Sequence, residues 1–178
     1  MLDKIKPPLV LMLISSIICG LLVFTFNATY VDTTGVITDT LKTGLVEIYG
    51  EKEYTMLKNE DGTVKTYENI NSIIISNEKE VAFEIVVNGY TKNGIHVLVG
   101  VTDEGLKGVS FISLAETPGL GTKIRDDKSF LQQFFGAKDD SYEFKSLTGA
   151  TYSSKGLKKA VDIALNTYLE HKEEIINE

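Results

Sequence analysis

The chain has one cysteine, no tryptophan, three prolines and two histidines in 178 residues. A single Cys19 excludes an internal disulfide and a thiolate metal cage. It equally excludes an iron–sulfur cluster held by this chain alone. With only His96 and His171 present, a zinc hydrolase or a histidine-based triad has little to draw on. His96 lies in the apolar run 95–101 and reads as a sheet-face or core residue. His171 sits among Lys172, Glu173 and Glu174 and reads as a solvated side chain on the polar side of a helix. Positive charge is also scarce: 18 Lys and Arg stand against 25 Asp and Glu, for a net charge of −7. No basic cluster appears, so nucleic acid is excluded as a partner class. There is no dinucleotide glycine loop, internal repeat, heptad array or low-complexity tract.

One long hydrophobic run is present. Leu9 to Phe26 is broken only by Ser15, Ser16, Cys19, Gly20 and Thr25. As a helix it would span about 27 Å, close to a hydrocarbon core of about 30 Å. Lys4 and Lys6 precede it and the next Lys or Arg is Lys42, so the expected orientation leaves the N-terminus in the cytoplasm and the remainder outside. A cleaved signal peptide would share the basic start. The length of the run and the want of a clean small-x-small site, to which Asn27-Ala28-Thr29 comes nearest, favour an uncleaved anchor. The expected organisation is a cytoplasmic N-terminus over 1–8, a transmembrane helix over 9–26, a linker and connecting helix over 27–50, and an extracytoplasmic domain over 51–178.

Beyond the anchor, Thr33 or Thr34 is a candidate cap for a helix from Val36 to Tyr49 carrying the stripe Ile37, Leu41, Leu45 and Ile48. Asp61-Gly62 between Tyr54–Leu57 and Thr63–Tyr67 predicts a hairpin. The segments 73–75, 81–87, 95–101 and 106–114 are β-rich and separated by turns at Asn77-Glu78, Asn88-Gly89, Asn93-Gly94 and Asp103-Glu104-Gly105, which predicts an antiparallel meander. Asp126 or Asp127 can cap a short helix that packs Phe130, Leu131, Phe134 and Phe135 on the sheet and ends at Gly136. Asp126, Asp127, Asp139 and Asp140 read as charged loop surface. Leu157, Ala160, Val161, Ala164, Leu165, Tyr168 and Leu169 form one apolar face of a helix over 155–176, with Ser153 or Ser154 as its N-cap. The fold class is α+β: one N-terminal transmembrane helix, then a small domain with an antiparallel sheet and flanking helices.

Just before that last helix stands Leu147-Thr148-Gly149-Ala150-Thr151-Tyr152-Ser153-Ser154. Gly149 and Ala150 let a ligand approach the backbone, the free N–H groups of a helix start favour a phosphate, and Thr151 offers a hydroxyl beside that anion site. A well-capped helix start accounts for the same residues without a ligand. Thr148-Gly149-Ala150-Thr151, followed by Ser153, resembles the flavin-attachment motif of the FMN-binding domain family. Glu116-Thr117-Pro118-Gly119-Leu120-Gly121 is similar to that family's second signature, a loop lying against the flavin; taken alone, Pro118-Gly119 is an ordinary turn. The two occur in the same order and at a plausible separation, and the resemblance covers roughly 81–164. The family usually has an acidic residue shortly before the attachment motif, where this chain has Lys145 and Ser146, with Glu143 further back.

The resemblance implies covalent FMN, its phosphate esterified to the Thr151 hydroxyl. It also implies cofactor contacts from Thr148, Gly149, Ala150, Ser153 and Ser154, and from Glu116, Thr117, Gly119, Leu120 and Gly121. Lys123 could place positive charge near the phosphate or ring, or be an exposed loop lysine. The family includes the G subunit of the Rnf ion-translocating oxidoreductase and the C subunit of the sodium-translocating NADH:quinone oxidoreductase. The short domain is nearer the former. The implied role is an electron relay in a membrane complex coupling ferredoxin:NAD oxidoreduction to sodium or proton export, with Rnf A, B, C, D and E type proteins as partners and a flavin transferase for maturation. A stand-alone flavin carrier or sensor, or a cofactor-free membrane-anchored scaffold, would fit the same residues.

Overall fold

The computed structural model describes residues 2–29 and 35–177, with side chains from residue 8 onward. It divides into two compact units, 1–33 and 34–178. The first holds the helix α1 (Leu2–Thr29), which is continuous through Pro7 and Pro8. Its stretch Pro8–Thr29 is 22 residues long with mean hydropathy 2.7 and is exposed along its length, so by length and composition it is able to cross a membrane. Ser15, Ser16 and Thr25 satisfy their hydroxyls by donating to carbonyls one turn back, the arrangement that lets such residues sit in an apolar helix.

The second unit is α+β. Five strands, β1 (Tyr54–Met56), β2 (Ile70–Ser76), β3 (Val81–Val87), β4 (Ile95–Thr102) and β5 (Gly105–Leu114), form one antiparallel meander in chain order. Their wealth of valine and isoleucine favours extended backbone, and the left-handed residues Lys79, Asn93 and Gly105 occupy the turns or turn ends between them. Both faces are covered. On one face Val81, Phe83, Ile85, Val97 and Val99 pack against α5 (Thr151–Asn177), which contributes Leu157, Ala160, Val161, Ala164 and Leu165. Each such buried Val, Leu or Phe contributes about 1.5–3 kcal/mol relative to exposure. On the other face Ala82 and Leu98 meet Leu41 and Leu45 of α2 (Asp39–Tyr49).

The helix expected over 36–49 thus starts at Asp39, and it forms a layer of the domain. Its N-cap is Thr38, whose Oγ1 accepts the Leu41 N–H; Thr33 and Thr34 lie outside the described residues. Gly100 sets its closeness: a Cβ there would stand 2.5 Å from Ile48 Cγ2 and 2.8 Å from the Tyr49 hydroxyl oxygen. Tyr49 uses that approach to donate to the Val81 carbonyl at 2.7 Å, and burial pushes its phenol pKa well above the ordinary value.

Four further expectations are corrected: the hairpin pairing, the single short helix, the packing of Phe135 and the solvation of His171. The Asp61-Gly62 turn forms, with Gly62 left-handed, but its arms meet only at the Lys58–Val64 bridge. Tyr54–Met56 pairs instead with Ile74–Ser76, because the isoleucine-rich β2 offers a buried ladder that the polar 63–67 segment cannot match. The short helix after the loop resolves into α3 (Lys123–Asp126) and α4 (Lys128–Gln132). Asp127 caps α4 by accepting from Ser129 N at 3.0 Å and Phe130 N at 3.1 Å. Phe130 and Phe134 are buried as predicted, whereas Phe135 is half exposed, because the helix ends at Gln132 and the chain turns toward Gly136. His171 is not simply solvated: its ring stacks on Tyr67 at 4.2 Å, with Nδ1 3.4 Å from Glu174. His96 lies on the sheet face, with Nε2 2.8 Å from the Glu84 carboxylate.

Candidate functional site

Three segments meet at one end of the sheet: the β3–β4 connection, the loop after β5, and the start of α5. The loop leaves β5 with Ala115 N–H bonded to the Gly94 carbonyl at 2.7 Å. Glu116 then turns inward and is buried, while 117–120 are exposed. The Thr117 carbonyl accepts from Leu120 N at 3.2 Å and Thr122 N at 3.3 Å, and Gly119 takes the left-handed conformation that this tight turn requires. On the helix side, Gly149 is left-handed at φ 81° and directs the chain into Ala150, whose carbonyl accepts the first helical bond from Ser154 N at 2.8 Å.

Ser153 and Ser154 are therefore not N-caps. Both lie inside α5 and are buried, and each hydroxyl has a partner outside the helix. Ser154 Oγ accepts the Leu147 N–H at 3.1 Å, folding the motif back over the first turn. Ser153 Oγ donates to Glu116 Oε2. The same carboxylate accepts Tyr90 N–H at 3.1 Å and Thr91 N–H at 3.0 Å. These three donors satisfy both oxygens of the buried side chain. Gly121 makes this possible, since a Cβ there would stand 2.7 Å from Glu116 Cβ and 2.8 Å from Ser153 Oγ.

The three segments border a cleft of about 370 Å³, within the range of small-molecule sites at about 300–1,000 Å³. Its walls are Tyr90 from the β3–β4 connection, Glu116, Thr117, Leu120 and Gly121 from the loop, and Gly149 to Ser153 from the helix start. The fold thereby brings most of the sequence-predicted residues together. Thr148, Gly119, Ser154 and Lys123 are not among the lining residues: Ser154 is occupied inside, and Lys123 is exposed on α3.

Tyr90 and Tyr152 also line the cleft, although the sequence pattern does not assign them to it. Two strands and two short helices separate Tyr90 from the motif, and only its place after the Asn88-Gly89 turn marks it as a loop residue. Thr151 is the first residue of α5 and exposed, and no partner among the described residues engages its hydroxyl. The N–H groups of Thr151, Tyr152 and Ser153 precede the first helical bond and carry the positive end of a 27-residue helix. The arrangement can thus hold a phosphate at the helix start and a flat apolar group beside Tyr90, Leu120 and Tyr152.

Both halves of that site suit a flavin mononucleotide. Residues 89–166 match the FMN-binding domain family. The matched stretch runs from the β3–β4 connection into α5 and includes every residue that lines the cleft. Among curated proteins, the chain is 32% identical over 106 residues to the G subunit of the ion-translocating oxidoreductase complex of Aliivibrio fischeri (strain MJ11), covering 52% of this chain and 50% of that protein. It is 32% identical over 113 residues to the protein of the same name from Shewanella oneidensis, covering 55% and 53%. It is 28% identical over 134 residues to the G subunit of the Na(+)-translocating ferredoxin:NAD(+) oxidoreductase complex of Acetobacterium woodii, covering 66% and 64%. The chain spans about half the length of the first two. No solved structure matches it. The stretch that matches this family thus borders a cleft whose three walls are joined by one carboxylate.

Proposed function

We propose that this chain is a membrane-anchored electron-relay flavoprotein, the G subunit of an Rnf-type complex that couples ferredoxin:NAD oxidoreduction to sodium or proton export. FMN is carried on Thr151 by a phosphoester bond. The observation that supports this reading best is the placement of Thr151: a hydroxyl with no partner among the described residues, exposed at a helix start, on the wall of the cleft that the FMN-binding domain contains.

In the attachment step a flavin transferase brings a donor holding FMN in a phosphoanhydride. A bond forms between Thr151 Oγ1 and the FMN phosphorus, the anhydride P–O bond breaks, the nucleotide leaving group departs with the electron pair, and the threonine proton passes to a base. The helix-start N–H groups receive the phosphate oxygens. FMN, once bound, supplies reversible electron transfer. The chain's own contribution is to retain it by a covalent bond in a compartment without resupply and to wall it on three sides. α1 supplies the anchor, with the N-terminus cytoplasmic and the domain outside. Electrons arrive from and leave to partner proteins of the A, B, C, D and E type.

The test is co-expression with a flavin transferase, denaturing electrophoresis and in-gel flavin fluorescence. Wild type carries fluorescence at the mass of the chain and Thr151→Ala does not. A dark wild type, or a Thr151→Ala band of equal brightness, overturns the assignment. Co-purification with the partner proteins from native membranes separates a member of a complex from a lone carrier.

A further inference from the structure

Residues 35–177 contain six strongly exposed large apolar side chains: Val36, Tyr90, Leu120, Phe135, Tyr152 and Leu169. Three of the six, Tyr90, Leu120 and Tyr152, border the same cleft. Tyr90 at 74% and Tyr152 at 71% are the most exposed of the six. Singly scattered apolar residues need no explanation, but convergence of the most exposed ones on one concavity does. Their rings meet edge to face, centroids 6.3 Å apart with an interplanar angle of 66°. One is carried by the β3–β4 connection and the other by the first turn of α5. Both positions are pinned from behind by one group, since Glu116 holds the Tyr90 N–H and the hydroxyl of Ser153, next to Tyr152.

We infer that Tyr90 and Tyr152 form an aromatic corner that takes the isoalloxazine ring, one phenol against its face and the other at its edge, with Leu120 as the third contact. This rests on the reading that FMN belongs to this cleft. An edge-to-face pair presents two surfaces at a steep angle, so a planar ring lying on one meets the rim of the other, both favourable for a quadrupolar ring. A tyrosine is electron-rich, so contact with it quenches flavin emission. Because both phenols remain at the surface, a ring held there keeps an exposed edge, as electron exchange with a second protein requires.

The experiment measures emission lifetime and visible circular dichroism per flavin in the full-length chain loaded by a flavin transferase, in detergent. Wild type, Tyr90→Leu, Tyr152→Leu, Tyr90→Phe and the double Leu variant are compared at measured flavin content. The wild type shows a dominant short lifetime. Each Leu substitution raises the long-lived to short-lived ratio by about fivefold, the worth of one aromatic contact. The double variant loses the induced dichroism, while Tyr90→Phe retains it. Lifetimes and dichroism in the double variant equal to wild type overturn the proposal. If no flavin is found on Thr151, the covalent reading fails separately, and free FMN titrated onto the chain decides the tyrosines: quenching by wild type but not by the double variant supports the corner, and no quenching overturns it.

Discussion

Glu116, in the loop after β5, and Ser153, in the first turn of α5, share one hydrogen bond, with the Ser153 hydroxyl donating to a buried carboxylate that also accepts two backbone N–H groups. This bond ties the loop, the β3–β4 connection and the helix start into one unit. The two oxygens of one buried side chain thereby accept from three donors at once, beside the cleft.

Removing this clasp is expected to cost stability as well as site geometry. Glu116→Ala strands the N–H groups of Tyr90 and Thr91 and should lower unfolding free energy by about 2–4 kcal/mol. Ser153→Ala removes one donor and should cost about 1–2 kcal/mol. Urea denaturation should show the two losses to be less than additive, as expected for residues in direct contact. Full additivity would mean that the pair does not act together.

Gly121 is constrained by space and not by backbone angle. Gly121→Ala places a methyl 2.7 Å from Glu116 Cβ and 2.8 Å from Ser153 Oγ, an overpacking expected to cost about 1–3 kcal/mol. Gly62→Ala in the distant turn meets nothing within 4 Å and bears only the strain of its left-handed φ, about 1–2 kcal/mol. Only the former should also reduce the flavin bound per chain. Equal flavin loss in both variants would contradict the close packing described.

Acid sensitivity should trace partly to Glu84. Burial raises its pKa, but hydrogen bonds from His96 and Ser72 and the positive charge of protonated His96 outweigh it, leaving the carboxyl below its ordinary 4.5. A depressed folded-state value stabilises the protein above the unfolded value, and that stabilisation is lost as pH falls through the folded one. Glu84→Gln should therefore be less stable than wild type at neutral pH, with the difference shrinking below about pH 4.5. Denaturant midpoints measured from pH 7 to pH 3 test this; a gap that widens on acidification would refute the assignment.

The second compact unit should fold without the first, because its core lies within residues 41–175. A chain beginning at Thr34 is expected to remain in the supernatant after high-speed centrifugation and to unfold cooperatively, while the full chain stays with membranes after alkaline carbonate extraction. Release of the full chain by carbonate would remove the case for α1 as an anchor.

The order of strands in the meander, the long apolar helix and the apolar face of α5 were legible in the residues, since each depends on periodicity over neighbours within a few positions. β3 runs from Val81 to Val87 as its composition predicts. The segment Thr148-Gly149-Ala150-Thr151 was equally local, four small or hydroxyl residues against a helix start. Tertiary structure alone decided the rest. Tyr54–Met56 pairs with β2 because a buried isoleucine ladder outcompetes a nearer polar arm. Ser153 and Ser154 become interior residues because groups from outside the helix, the Glu116 carboxylate and the Leu147 N–H, claim their hydroxyls. Tyr90 and Tyr152 stand 6.3 Å apart across a cleft although much of the domain separates them along the chain. Local sequence determines what a segment can be, through spacing and backbone preference. Which polar groups must find one another once water is excluded is settled only when the layers close.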